Sequence, residues 1–320
     1  MAPYRKVQYK SMNELNLYDP EVAYIDGKFY GNTTVYWILG NTCTYKCSYC
    51  IPKFYAGNAP YHDTQVVQDT LKKLPPCNVL FGGGEPTYHP DIEKIILEKP
   101  DHININLLSN GARPIAFWER IAPIIHVVFL TYHLEYASLE KFIAIANLIY
   151  NVHKKLGKVS IIMIPERWDE CIAVYNALVA AGLSVTAKAI MDDWKSSNKA
   201  YTPEQISWIS ESVYPKDKWI RIYNNNNEII YRSDPAELIS KNMNRYTGWT
   251  CYVPRYYARI DEKGNVMNTC CAQGTYMGNI FREFTISKDP VICKLPLCTT
   301  YCDVEGIKSS PSFTGIIPGI

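Results

Sequence analysis

A repeating rhythm of short apolar runs and helical segments constrains the fold most. The runs are Val35–Leu39, Asn78–Phe81, Ile103–Leu108, His126–Leu130, Val159–Ile164 and Ser184–Ile190. They are short and rich in Val and Ile, as strands buried on both faces of a parallel sheet are. Helical patterns lie between them at Thr64–Leu74, Asp91–Leu97, Ile115–Ile121, Ser138–Leu156 and Trp168–Ala181. Alternating βα units imply a parallel sheet with right-handed crossovers. The chain before residue 195 has room for six units and not for eight. The expected fold is therefore α/β, a partial (β/α)6 TIM-like barrel.

The pattern changes after residue 195. Thr202–Val213 reads as a helix, and Trp219–Tyr223 and Glu228–Arg232 flank an asparagine turn at Asn224–Asn227. A second hairpin is expected around Asp261–Asn265. The expected divisions are an N-terminal extension (1–34), the barrel (35–195) and a linker region with a helix and a hairpin (196–245). A small cysteine-rich domain of β-hairpin and helix (246–308) and a Ser/Pro/Gly-rich tail (309–320) complete them.

Composition excludes several classes. With 33 basic and 31 acidic side chains the net charge is +2, which gives no support for non-specific binding to nucleic acid or an anionic membrane. A nucleotide-sized substrate stays open. The longest apolar stretch, near Ile121–Leu130, is broken by Pro123 and His126 and is far shorter than the ~20 residues of a membrane span. The polar start has no signal-peptide core. With an odd 11 cysteines, a disulfide framework is not expected. A reducing cytoplasm is, where clustered thiols serve as metal ligands or catalysts.

Nine of the 11 cysteines fall in two groups: Cys43, Cys47 and Cys50, then Cys251, Cys270, Cys271, Cys293, Cys298 and Cys302. Cys77 and Cys171 stand alone and read as small buried hydrophobes. The unusual residues share one end of the expected strands. Cys43–Cys50 follows the first, Gly82-Gly83-Gly84-Glu85-Pro86 the second, Ser109-Asn110-Gly111 the third, Thr131-Tyr132-His133 the fourth and Pro165-Glu166 the fifth. Loops at the carboxyl ends of barrel strands build the active site. Cys77 precedes its strand and belongs to the opposite rim.

Three thiolates so close together suit zinc or an iron–sulfur cluster. Zinc would need a fourth ligand, for which His62 or His89 are candidates. A 4Fe–4S cluster on three thiolates would keep one iron open. The glycine segment permits close backbone approach and presents carbonyls and a carboxylate to a cationic amino group. It is not a phosphate loop, because no Gly-Lys-Ser/Thr follows.

Together these residues resemble the radical S-adenosylmethionine (SAM) enzymes. That superfamily carries Cys-x3-Cys-x2-Cys with an aromatic residue before the third cysteine, here Cys43, Cys47, Tyr49 and Cys50. Its next motif, Gly-Gly-Glu-Pro, is here Gly83–Pro86, and Ser109-Asn110-Gly111 is similar to its Thr-Asn-Gly segment. The resemblance spans residues 35 to about 190. It implies that Cys43, Cys47 and Cys50 hold a 4Fe–4S cluster whose open iron is chelated by SAM. It implies that Gly83, Gly84 and Glu85 bind the methionine amino group, that Tyr49 lies near the adenine, and that Ser109 and Asn110 lie near the ribose or carboxylate.

The second group resembles the SPASM or twitch extension of one branch, which holds auxiliary clusters. Cys251, Gly264 and Cys270 follow its opening pattern with one extra residue, and Cys293-x4-Cys298-x3-Cys302 resembles its later set without the leading pair. Two fully thiolate-ligated clusters need eight cysteines and six are present, so the resemblance implies one auxiliary 4Fe–4S cluster. Cys251, Cys270, Cys298 and Cys302 are the expected ligands, with Cys271 and Cys293 as alternates. A zinc ribbon is the plainer reading of the same residues.

Weaker candidates lie on the same rim. His133 suits substrate binding or a proton shuttle, or else a structural hydrogen bond. Lys188 either points into the barrel toward SAM or substrate or snorkels outward. Glu166 reads as a partner for the helix that starts at Trp168. The implied function is hydrogen abstraction from an unactivated C–H position, with a reductant such as flavodoxin or ferredoxin. Only 42 residues precede Cys43, which favours a small molecule (sugar, amino acid or nucleotide) over a leader-bearing peptide. A non-catalytic zinc-binding protein is the alternative of a different class.

Overall fold

The computed structural model describes residues 21–27, 33–50, 60–192, 196–197, 201–212, 220–233, 235–269, 271, 273–298 and 300–317. Cys270 lies outside the described residues, and so does the side chain of Cys302.

A strand β1 (Val22–Asp26) comes first, and the barrel units follow. They are β2 (Thr34–Gly40), α1 (Thr64–Lys73), β3 (Cys77–Gly83), α2 (Ile92–Leu97), β4 (Ile103–Ser109), α3 (Ile115–Ile121), β5 (Val127–Tyr132), α4 (Leu139–Asn147), β6 (Leu156–Met163), α5 (Trp168–Ala180) and β7 (Val185–Ala189). Strands β2 to β7 are parallel and adjacent in sequence order, as the βα rhythm predicts.

Alternation along these strands sorts side chains by face. Trp37, Phe81, Leu107, Leu130, Ile161 and Ala187 are buried in one core with helix residues such as Leu71, Ile95, Trp118, Phe142 and Leu178. The other face carries polar groups. Asn104 Nδ2 donates to Asn78 Oδ1 at 3.1 Å across β3 and β4, and Asn106, Ser160 and Thr186 are buried there. Leu80, Leu108, Phe129 and Ile162 share this face, so it is mixed, whereas the helix-packed face is apolar.

Two helical expectations need correction. The pattern at Ser138–Leu156 is not one helix: α4 ends at Asn147, a π turn covers Leu148–Val152, and Lys154 adopts φ 55°, which ends helical winding. Strand β6 then starts earlier than the apolar run suggests. Glu166 does not cap α5; Arg167 occupies the N-cap without a side-chain cap, and Asp169 and Glu170 supply the negative charge of the first turn.

The rest of the chain forms β8 (Met191–Asp192), β9 (Ser196–Ser197), α6 (Pro203–Glu211), β10 (Ile220–Asn224), β11 (Ile229–Ser233), α7 (Pro235–Ser240) and β12 (Thr250–Cys251). After these come β13 (Tyr257–Ile260), β14 (Asn265–Met267), β15 (Tyr276–Asn279), β16 (Val291–Ile292), α8 (Tyr301–Val304) and β17 (Lys308–Ser309). Thr202 and Gln205 close a capping box at α6.

Strand pairing runs across the divisions expected from sequence. Tyr257 of β13 aligns with Thr34 of β2 in parallel, so the hairpin β13–β14 and β15 extend the barrel sheet. A second sheet has the order β11-β10-β1-β17-β12-β16 and joins the N-terminal extension to the cysteine-bearing segment. Residues 309–317 are not a loose tail. Ser309 pairs with Tyr24 and Thr250, Ser310 N donates to Ala23 O at 2.8 Å, and Ile317 is buried with Ala23 and Tyr24. Among the described residues, no helix is long and apolar enough to cross a membrane.

Candidate active site

The loop bearing Cys43, Cys47 and Cys50 leaves the carboxyl end of β2 and is braced from three sides. The first brace is the glycine turn after β3. Gly84 N donates to Gly40 O at 3.0 Å and Glu85 N to Thr42 O at 2.8 Å. Glycine is required for this approach. A Cβ at Gly83 (φ 112°) would lie 2.5 Å from Gly40 O, and one at Gly84 would lie 2.1 Å from Thr42 O. Tyr61 Oη sits 3.0 Å from Thr42 O and 2.8 Å from Glu85 O, locking the two loops together.

The second brace runs from Glu85 to the turn after β4. The Glu85 side chain is buried and accepts from Thr87 N (3.1 Å), Thr87 Oγ1 (2.6 Å), Ser109 Oγ (2.9 Å) and Asn110 N (2.6 Å). Burial pushes its pKa up, and these donors oppose that shift. Asn110 in turn reaches Cys43: its Nδ2 lies 3.8 Å from Sγ, and Tyr45 N lies 3.4 Å from the same sulfur. N–H groups directed at a cysteine sulfur are characteristic tuning elements of iron–sulfur sites.

The third brace is the loop after β5. Glu135 accepts from Ser48 N at 2.8 Å and from Ser48 Oγ. Tyr136 Oη donates to Lys46 O at 3.0 Å, and its ring stacks on Tyr45 at 5.1 Å. His133 Nδ1 lies 3.5 Å from Cys47 Sγ and 2.9 Å from Tyr49 Oη, with the Tyr49 and His133 rings nearly parallel. Burial pushes His133 down to about 4, helped by the positive charge of Lys188 and opposed by Glu135. Lys188 shares the strand face of Thr186, opposite the core residues Val185 and Ala187. Sequence reasoning passed over the bracing roles of Tyr61, Glu135 and Tyr136. Their signal was weak: two tyrosines among 25 and one acidic residue among 31.

Burial raises the Cys43 thiol to about 11 and the Cys47 thiol to about 12, with the neighbouring thiols adding to both. Left alone, such thiols stay protonated. A bound metal centre reverses this by deprotonating its thiol ligands. Three cysteines on one braced loop with N–H groups at sulfur thus fit an iron–sulfur cluster. They do not fit zinc completed by His62 or His89. His62 Nδ1 accepts from Trp37 Nε1 at 2.9 Å and Nε2 lies 3.1 Å from Glu262 O. His89 Nε2 lies 2.8 Å from His62 O, and Nδ1 accepts from Asp91 N at 3.1 Å. Both imidazoles are fully engaged.

The second cysteine group surrounds a narrow cavity lined by Cys251, Cys271, Cys293 and Cys298, with Asp303 and Lys308. Two expected ligands, Cys251 and Cys298, are here together with both alternates. Among the described residues, no three His, Cys, Asp or Glu side chains close into a ready single-ion site. Cys77 and Cys171 are fully buried in the barrel core, as expected. Beside Asn110 a further cavity of about 130 Å³ is lined by Tyr45, Tyr136, Ser138 and Lys141 among others.

Residues 37–191 match the family model described as the radical SAM superfamily. The structure titled native anSMEcpe with bound AdoMet and Cp18Cys peptide is 15% identical, covers 79% of each chain and has a TM-score of 0.54. That of native anSMEcpe with bound AdoMet is also 15% identical, covers 78% of each chain and has a TM-score of 0.52. At such identity the likeness is one of fold. No curated protein matches the sequence. The cysteine loop, the glycine turn and the parallel half-barrel agree with the family match: residues 37–191 of this chain are a radical SAM domain, from a superfamily whose enzymes use a 4Fe–4S cluster and SAM.

Proposed function

We propose that the chain is an enzyme that reductively cleaves SAM and abstracts a hydrogen atom from a small polar substrate: a sugar, an amino acid or a nucleotide. One observation carries the reading. The glycine turn, the Asn110 turn and the His133 loop all converge on the Cys43–Cys50 loop at one rim of the barrel. The cluster, when bound, supplies the electron that splits SAM into methionine and a 5′-deoxyadenosyl radical, which takes the hydrogen.

The chain's own residues prepare that event. Cys43, Cys47 and Cys50 hold the cluster, and the amides of Tyr45 and Asn110 stabilise charge on the Cys43 sulfur. Gly83 and Gly84 bring backbone carbonyls close enough to receive the methionine ammonium. Glu85 serves that ammonium through buried negative charge; its oxygens are already taken by Thr87, Ser109 and Asn110. Ser109 acts through Glu85, while the Asn110 side chain and Lys188 face the SAM side. Tyr49 and neutral His133 form the wall beside Cys47, and His133 presents that wall to substrate. The polar groups on the inner face (Asn106, Ser160, Thr186, Lys188), set among apolar side chains, support a polar substrate over an apolar one. The C-terminal cysteines hold one auxiliary 4Fe–4S cluster that assists oxidation or binds substrate. A cytoplasmic flavodoxin or ferredoxin supplies electrons.

A peptide is the second reading, because a structure of similar fold holds a Cp18Cys peptide. The test of the central reading is 5′-deoxyadenosine formation from SAM under strong reduction. Wild type forms it, and the Cys43→Ala/Cys47→Ala/Cys50→Ala variant does not. Cleavage retained in the triple variant sinks the site assignment. Deuterium transfer from labelled small polar compounds or labelled peptides into 5′-deoxyadenosine then separates the two substrate classes.

A further inference from the structure

The cavity of the C-terminal cysteines contains one element that thiolate ligation does not explain: a buried lysine. Lys308 is 1% exposed and lines the same cavity as Cys251, Cys271, Cys293 and Cys298. It is the direct antiparallel partner of Cys251 in the β12–β17 ladder. Its Nζ donates to Asp303 O, to Gly306 O at 2.9 Å and to Val304 O at 3.4 Å, and it lies 4.8 Å from the centre of the Tyr246 ring. Three acceptor oxygens match the three N–H donors of an ammonium. These three acceptors are carbonyl dipoles rather than carboxylates.

The strand register sets Lys308 beside Cys251 on one wall of the cavity. Asp303, tied to Thr300 Oγ1, lines the same cavity.

We propose that Lys308 is the built-in counter-charge of an iron–sulfur cluster held by the cysteines of this cavity, and that it raises the reduction potential of that cluster. The inference rests on the auxiliary cluster proposed above. A cluster with four thiolates is anionic, and each added electron makes it more so. A cation held nearby in a low-dielectric interior favours the reduced form. Lysine also caps the carbonyls that end α8, so its structural and electrostatic roles must be separated. Glutamine retains amide donors without charge; arginine retains charge with a different shape.

The experiment uses the full chain with Cys43, Cys47 and Cys50 replaced by Ala, reconstituted anaerobically with iron and sulfide. Iron, sulfide and an EPR-monitored reductive titration are then compared for Lys308, K308Q and K308R. The expected result is equal iron in all three and a reduced-to-oxidised ratio at fixed potential that falls at least tenfold in K308Q. For one electron that is 59 mV. K308R stays near the parent. Iron lost in K308Q but kept in K308R also supports a counter-charge. Equal iron with equal potentials overturns the inference and leaves the auxiliary cluster standing. Iron lost in both variants marks a purely structural lysine and overturns it too. No iron in the parent with Lys308 intact removes the auxiliary cluster itself, and this inference with it.

Discussion

Trp37 Nε1 donates to His62 Nδ1 at 2.9 Å, and this one hydrogen bond fixes the protonation of the imidazole. Indole N–H is only a donor, so Nδ1 must accept. The proton sits on Nε2, which faces Glu262 O at 3.1 Å in the loop between β13 and β14. His62 thereby ties the barrel core to the hairpin that extends its sheet.

Acid should loosen this tie. Burial holds the His62 pKa below its ordinary value, about 6.5 in an unfolded chain. As pH falls through 6.5 the unfolded chain takes up a proton that the folded chain refuses. Stability is fully present above pH 6.5 and declines below it. Urea midpoints of the apo protein should fall more steeply from pH 7 to pH 5.5 in wild type than in H62Q. Parallel slopes would show that the Trp37–His62–Glu262 link does not govern this titration.

Glu85 should matter through its donors. Glu85→Gln sets an amide N–H against Asn110 N, Thr87 or Ser109, all of which already donate. An unsatisfied buried polar contact costs about 1–3 kcal/mol. Thr87→Val removes one donor and spares the charge, with an expected loss of about 1 kcal/mol. Denaturation of the apo protein should rank wild type above T87V and T87V above E85Q. SAM affinity of the reconstituted protein should fall clearly only in E85Q.

The close approach of the glycine turn can be tested without touching a thiol. Gly84→Ala puts a Cβ against Thr42 O, a backbone atom that cannot rotate away. Overpacking of this kind costs about 1–3 kcal/mol. The variant should lose stability and release iron from the N-terminal site on gel filtration, while the C-terminal site retains its own. Unchanged iron at both sites would refute the claim that this contact holds the cysteine loop.

The barrel was legible because its signals are local and redundant. Runs such as Ile103–Leu108 fix strand type by β-branching and length, and the rim motifs follow each strand end, so topology alone gathered Cys43, Gly84 and Asn110. The long helix at Ser138–Leu156 misled because apolar spacing does not reveal a backbone break at Lys154. The second sheet was hidden for a different reason. Val22–Asp26, Thr250–Cys251 and Lys308–Ser309 are short strands whose partners lie more than two hundred residues away in some cases. Nothing in a local window encodes such pairing. Lys308 escaped notice by the same logic: only the register that sets it opposite Cys251 makes it unusual.

That register also bears on which cysteines serve the auxiliary cluster. Cys251, Cys271, Cys293 and Cys298 line the cavity together, and Cys251 and Cys298 are the more deeply buried. Replacing a ligand of a four-thiolate cluster takes away one iron–sulfur bond and lowers the iron retained, whereas replacing a core cysteine removes only a small apolar group. In the background without Cys43, Cys47 and Cys50, Cys251→Ala and Cys298→Ala should each lower bound iron, and Cys77→Ala should retain it in full. Cys271→Ala and Cys293→Ala decide between these two alternates and the sequence-expected Cys270 and Cys302. Iron loss in the Cys271 and Cys293 variants, with retention in those of Cys270 and Cys302, would fix the ligand set as the four that line the cavity. The reverse pattern would make Cys271 and Cys293 lining thiols and return the ligand set to Cys251, Cys270, Cys298 and Cys302.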